Sequence, residues 1–201
     1  MYNQMQKIKY LCSSKKFSTY VDAPFSKLVI TFLNDLSILL LKDKSSNKFG
    51  DILSLAFWLR EKNIINLKKN FFNKDQNKIG LGNIFHITPT NVPTNFAYSF
   101  VFGLLTGNSN LVKLPNQSFE QVDIICEKIN ILFNKKKYLK YKNSNFFFRY
   151  DSNNISITNK FSKISDARMV WGGDNTVKNI KKVETKIKVK DLYFHEKYSL
   201  S

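Results

Sequence analysis

Two patterns of apolar spacing divide the chain. Up to about residue 78 the apolar residues follow helical spacing. "KLVITFLNDLSILLL" carries them in a band broken by Asn34, Asp35 and Ser37, which reads as a buried helix. "FGDILSLAFWLREKNIINLKKNFF" repeats the pattern, with Ile52, Leu55, Ala56 and Leu59 at i, i+3, i+4 and i+7. Asp51 stands near the start of that segment, where a carboxylate suits the helix dipole. From about Lys78 short apolar runs alternate with amphipathic segments. "IGLGNIFHIT" predicts a strand ending at Thr88. Pro93 suits the first turn of a helix running to about Thr106, and Gly107 supplies a left-handed end. "SNLVKL" predicts the next strand. Ser118 with Gln121 reads as a capping box opening a helix over 118–134, whose apolar face holds Val122, Ile125, Cys126, Ile129 and Phe133. "NFFFRY" and "DARMVWGGD" predict two more strands, "NTVKNIKK" a helix, and "KIKVKDLYF" a last extended segment.

Alternating strands and helices imply a parallel sheet covered on both faces. The expected fold is therefore α/β: a helical lead-in over 1–78, then a partial doubly wound, Rossmann-like parallel sheet over 79–201. The segment from Phe96 to Leu105 has no charged face, as expected for a helix sandwiched between layers.

Composition changes this picture little. A 43% hydrophobic share over 201 residues is that of a globular protein and excludes a disordered chain. No run approaches the roughly 18 apolar residues that span a bilayer, and the N-terminus has no signal-peptide pattern, so a soluble cytoplasmic protein is expected. Cys12 and Cys126 make no disulfide framework and share no metal-ligand spacing with His86 or His195, which points away from zinc. The net charge of +17 raises nucleic-acid binding as one reading. The lysines are scattered along the whole chain, however, and arginine is scarce, so a lysine-rich composition bias is the favoured explanation.

In doubly wound sheets ligands bind outside the carboxyl ends of the strands. Three turns qualify: "TPTNVP", "KLPNQS" and "WGGDN". Each leads from a strand into a helix start, which favours a phosphate. Gly172 and Gly173 allow close approach of a ligand. There is no G-x-G-x-x-G, and read alone these turns support a nucleotide site of modest specificity.

The ordered segments "FHITPTNVPTNFAYSFVFGLLTGNSNLVKLPN", "QVDIICEKI", "DARMVWGGDNTVKNI" and "DLYFHEKYSLS" resemble the long-chain acyl-CoA reductase (LuxC-type) family of the aldehyde dehydrogenase superfamily. That family includes the fatty-acid reductase of bacterial bioluminescence. "LAFWLRE" fits the same family, and the likeness covers roughly residues 50 to 201. It implies NADPH-dependent reduction of a long-chain acyl-CoA, or another acyl thioester, to the aldehyde through a cysteine thioester. By the same resemblance Asn91 is the oxyanion donor, although read alone it is a turn residue before Pro93. Thr88 and Pro89 line the nicotinamide side through backbone atoms, and Thr90 beside them is a further cofactor-binding residue. Lys113 reaches the adenosine ribose, and Asn116 stands where NAD-preferring relatives carry a glutamate, which favours NADPH. Gly172 and Gly173 border the pyrophosphate, and Asp174 is assigned mainly as a helix cap.

The family's nucleophilic cysteine has no counterpart among the two cysteines. The expectation is a truncated or split chain, inactive alone, which needs a second polypeptide carrying the catalytic half or an acyl-activating partner. The alternatives are a nucleotide-binding remnant without turnover and a basic nucleic-acid-associated protein.

Overall fold

The computed structural model describes residues 8–12, 16–71, 78–89 and 91–194. Its strands are β1 (Lys9–Cys12), β2 (Asn83–Ile87), β3 (Ser109–Lys113), β4 (Asn145–Arg149), β5 (Ala167–Trp171) and β6 (Lys190–Phe194). They form one sheet in the order β1-β4-β3-β2-β5-β6. All neighbours from β4 to β6 run parallel, and only β1 pairs antiparallel, at one edge. The helices are α1 (Lys27–Lys42), α2 (Gly50–Trp58), α3 (Glu61–Phe71), α4 (Asn95–Leu105), α5 (Glu120–Phe133), α6 (Leu139–Ser144), α7 (Ile155–Ile164) and α8 (Asp174–Lys181).

Strand alternation sends successive side chains to opposite faces. Val112 and Phe147 join Phe96 and Phe100 of α4, Ile125 and Ile129 of α5, and Phe32, Leu33 and Leu36 of α1 in one core. Ile52, Leu55, Ala56 and Leu59 are each 0% exposed in that same core, which is the stripe their spacing predicts. On the other face Phe85, Leu111, Phe148 and Val170 meet Phe161 of α7 and Val177 and Ile180 of α8. Phe148 stacks on Phe161 with ring centroids 4.2 Å apart. The covering helices explain why β2 to β5 are buried on both sides.

α4 is apolar because both its sides are used. Phe100 packs edge-on against Phe147 at 4.8 Å, while Tyr98 and Phe102 meet Trp58 at 5.2 and 5.5 Å. Gly107 ends the helical segment at φ +82°, and a Cβ there would lie 2.1 Å from the Asp22 carbonyl oxygen. Only glycine satisfies both conditions.

Several local expectations are corrected. The tract 49–72 is two helices within its described part, because Asn34 Oδ1 accepts the Glu61 N–H at 3.1 Å and starts α3 afresh. Asn63 supports the break by donating its amide to the Phe57 carbonyl at 2.7 Å. The capping box at Ser118 does not form: Phe119 holds the N-cap position of α5, with no side-chain cap. Cys126, expected in the core, is 3% exposed there. The lead-in also holds β1, and α7 fills the span between β4 and β5. Asn154 caps α7 by accepting the Ile157 N–H at 3.2 Å.

Candidate functional site

α4 and α5 cover one face of the sheet and α7 and α8 the other, so the connections diverge between β2 and β5. A crevice opens at the carboxyl ends of the strands at such a point. A cavity of about 760 Å³ lies there, within the usual range for a small-molecule site. Ile87, Thr88, Pro89 and Asn91 reach it from the end of β2, and Lys113 from the end of β3. Tyr150 and Ser152 follow β4, and Trp171, Gly172 and Gly173 close it at the end of β5. Another groove, of about 800 Å³, runs beside α1 and α3, but it has no strand end and no glycine turn.

Lys113 is the central cation. It is 5% exposed, and its Nζ donates to Ser152 Oγ at 2.9 Å above the Tyr150 ring. Burial lowers its pKa from 10.5 to about 8, against the opposing pull of Asp151. Thr88 is buried and donates its hydroxyl to the Lys113 carbonyl at 2.7 Å, which locks the end of β2 to that of β3. Asn116 is exposed. With its amide oriented to satisfy both ends, it donates to the Tyr150 carbonyl at 2.7 Å and accepts from Ser152 Oγ at 3.2 Å. Asn116 therefore braces Ser152 from behind rather than lining the cavity.

The "WGGDN" turn is built for close approach. Gly172 has φ +154°, and a Cβ on it would lie 3.1 Å from Thr176. Gly173 is the N-cap of α8 and has open space where a Cβ would go. The first-turn N–H groups of α8 have no helical carbonyl to reach, and they begin beside the cavity wall. Asp174 is corrected as a cap. It is the first residue of α8, exposed and outside the cavity lining, where its carboxylate suits the helix dipole. Asn91 is exposed at the cavity mouth. Thr90 and His195 lie outside the described residues.

Neither cysteine is near this cavity. Cys12 is 0% exposed in β1 and its Sγ donates to the Cys126 carbonyl at 3.3 Å. Burial pushes the Cys12 thiol well above its ordinary pKa, which is the opposite of an activated nucleophile. Among the described residues no group of three or more His, Cys, Asp or Glu side chains could hold a metal, and no helix is long and apolar enough to cross a membrane.

The sequence reading missed Tyr150, Ser152 and Thr176 as lining residues. The first two follow a strand as directly as the three turns it selected, so the same strand-end rule would have found them. Trp171 stood in the selected "WGGDN" turn but was given no role of its own, and Tyr150 was assigned to the strand "NFFFRY".

A family model described as acyl-CoA reductase (LuxC) matches residues 21–201. The chain belongs to the LuxC acyl-CoA reductase family. No curated protein matches it. Among solved structures it is similar to the NADP-dependent glyceraldehyde-3-phosphate dehydrogenase of Bacillus halodurans C-125 complexed with NADP, with TM-score 0.58 and 17% identity over 86% of this chain. It is also similar to proline utilization A with proline bound in remote sites, with TM-score 0.58 and 15% identity over 84% of this chain. At such identities the likeness shows the fold, a Rossmann-like α/β type with a largely parallel central sheet. The chain spans 40% of the first of these proteins and 19% of the second.

Proposed function

We propose that this chain provides the cofactor-binding part of an NADPH-dependent acyl-CoA reductase, with residues 79–201 carrying the site. The observation that carries the reading is the buried Lys113 ammonium in a strand-end cavity, bonded to a neutral hydroxyl. A buried cation so placed gains most from an anionic ligand. The glycine turn into α8 would take the pyrophosphate, and Lys113 with the Ser152 hydroxyl would take the ribose 2′-phosphate. Asn116 brings no negative charge to repel that phosphate. Thr88 and Pro89 would border the nicotinamide side.

NADPH, when bound, supplies the reducing equivalent. Asn91 would hold the developing oxyanion of a long-chain acyl thioester by donating its neutral amide. A thioester route needs a thiolate, and both cysteines of this sequence are buried away from the cavity. We therefore assign the nucleophile to residues beyond this sequence or to a second polypeptide, with an acyl-activating partner delivering the substrate in a cytoplasmic setting. Fluorescence titration with NADPH and NADH tests the reading. NADPH is expected to bind more tightly, and equal or tighter NADH binding would overturn it.

A further inference from the structure

The Trp171 indole is held on two sides. It stacks on Phe194 at 4.0 Å with planes 10° apart, and its Nε1–H donates to Ser99 Oγ at 3.0 Å. Ser99 belongs to α4, is 0% exposed, and lies 2.8 Å from His86 Nδ1. His86 Nε2 lies 2.8 Å from Asn110 Oδ1. The amide nitrogen of Asn110 is already a donor to the Asn108 carbonyl at 3.0 Å and to Asn145 Oδ1 at 2.6 Å, so its oxygen accepts. His86 therefore carries its proton on Nε2, and Nδ1 accepts the Ser99 hydroxyl proton. The Ser99 oxygen is left as an acceptor for the indole.

Donation thus runs one way from Trp171 to Ser99, His86, Asn110 and Asn145, and ends on the Tyr141 carbonyl at 2.8 Å. Burial holds the His86 pKa at about 4 despite the opposing hydrogen bond to Asn110, so the ring stays neutral and the direction is fixed at neutral pH. Gly103 lets α4 approach this closely, since a Cβ there would lie 2.0 Å from Asn110 Oδ1.

Buried polar chains commonly just specify a core. This one differs at its end, because Trp171 is half-buried and lines the cavity. We infer that Ser99 and His86 are positioning residues that fix the Trp171 indole as the wall for a planar ring of the ligand. Under the function proposed above, on which this inference rests, that ring is the nicotinamide. Lys113 and Trp171 end strands on either side of β2, about 10 Å apart by sheet spacing. An ammonium that takes the adenosine phosphate leaves the β5 side for the other ring. A wall held rigid before binding spares the ordering cost of a loose one.

The test uses the Trp58→Phe protein, in which Trp171 is the sole tryptophan. Ser99→Ala is expected to raise acrylamide quenching of Trp171 and to weaken NADPH binding about tenfold. Binding of 2′-phospho-ADP-ribose, which lacks nicotinamide, should not change. In a Trp171→Phe background Ser99→Ala should have no further effect on binding, since its target is gone. Unchanged NADPH affinity, an equal loss for both ligands, or a loss that persists beside Trp171→Phe would overturn the inference. Should Ser99→Ala fail to fold, Ser99→Thr must bind NADPH as the parent does and Ser99→Cys must bind it less well, and equal binding by the two overturns the inference. A parent protein that binds neither ligand brings down the proposed function itself, whereas a parent that binds both, with no effect of Ser99→Ala, brings down only the positioning role.

Discussion

Replacing Lys113 with Met should make the ligand-free protein more stable and the NADPH complex weaker. The fall in the Lys113 pKa from 10.5 to about 8 corresponds, at about 1.4 kcal/mol per tenfold, to a cost of about 3 kcal/mol for keeping the ammonium buried. Met fills similar space without that charge. It also gives up the hydrogen bond to Ser152, worth about 1 kcal/mol. The net gain at pH 7 is therefore about 2 kcal/mol, or about 4–8 °C in Tm for a chain of this size. The folded pKa lies below the unfolded one, so the unfolded chain holds the proton more tightly. The parent is handicapped below about pH 8 and recovers as pH rises from about 8 to 10.5. The stability difference should shrink across that window and end slightly in favour of the parent. NADPH should bind Lys113→Met about ten to a hundredfold more weakly, the worth of a charge-assisted bond to phosphate, while NADH changes little. Urea denaturation at pH 7 and pH 10, beside fluorescence titration of both cofactors, checks each part. A Met variant less stable than the parent at pH 7, or an unchanged ratio of NADPH to NADH affinity, would refute the reasoning.

Three further outcomes are expected. Gly172→Ala forces a side chain into a positive-φ position 3.1 Å from Thr176, so it should cost about 1 kcal/mol and weaken dinucleotide binding; thermal melts and titration check this. Asp191→Asn leaves the 2%-exposed Arg168 without its two-pronged carboxylate partner and should cost about 3 kcal/mol in urea denaturation. Burial raises the Asp191 pKa, but hydrogen bonds from Arg168 and Tyr193 outweigh it, so the net shift is downward; the stabilisation is complete above the ordinary 3.8 and disappears as pH falls through the lower folded value, and an Asn variant should lack that acid limb. The chain alone should form no aldehyde from a long-chain acyl-CoA with NADPH, and turnover that survives the Cys12→Ser, Cys126→Ser pair would contradict the need for an added thiol.

The parallel sheet was legible because β2 to β5 are short segments with apolar residues between turn residues: "NIFHI", "SNLVK", "NFFFR" and "ARMVW". β1 was not, since four residues on one edge give no usable period. α7 was passed over although Ile157, Phe161 and Ile164 stand at i, i+4 and i+7 and Asn154 gave a legible cap. Gly172, Gly173 and Lys113 were legible as strand-end residues. What could not be read is how they meet. The Lys113 ammonium is buried because Tyr150 and Ser152, from the next strand over, close around it. His86 gave no signal beyond a spacing unsuited to metal. Its role follows from register, which sets Asn110 opposite Asn145 and leaves Asn110 diagonal to His86.

The buried charges themselves argue for where a ligand goes. Among the described residues Arg168, Lys128 and Lys113 are the buried cations. Arg168 is met by both oxygens of Asp191 and by the Ile180 carbonyl. Lys128 is met by Asp43 at 2.9 Å and Glu127 at 3.0 Å, and although burial pulls its pKa down, those partners raise it overall. Both cations are compensated within the fold, and neither lines the cavity. Lys113 has the neutral Ser152 hydroxyl and the more distant field of Asp151, and its pKa falls. A fold that satisfies two of its buried cations with carboxylates and gives the third a hydroxyl leaves a place for an anion from outside. That third cation stands at the carboxyl end of a parallel strand, two strands from a glycine turn that opens a helix. Isolated charge and strand-end topology thus select the same cavity on independent grounds. If Lys113 were a structural residue only, the Met variant would gain stability and lose nothing in binding, and the two grounds would separate.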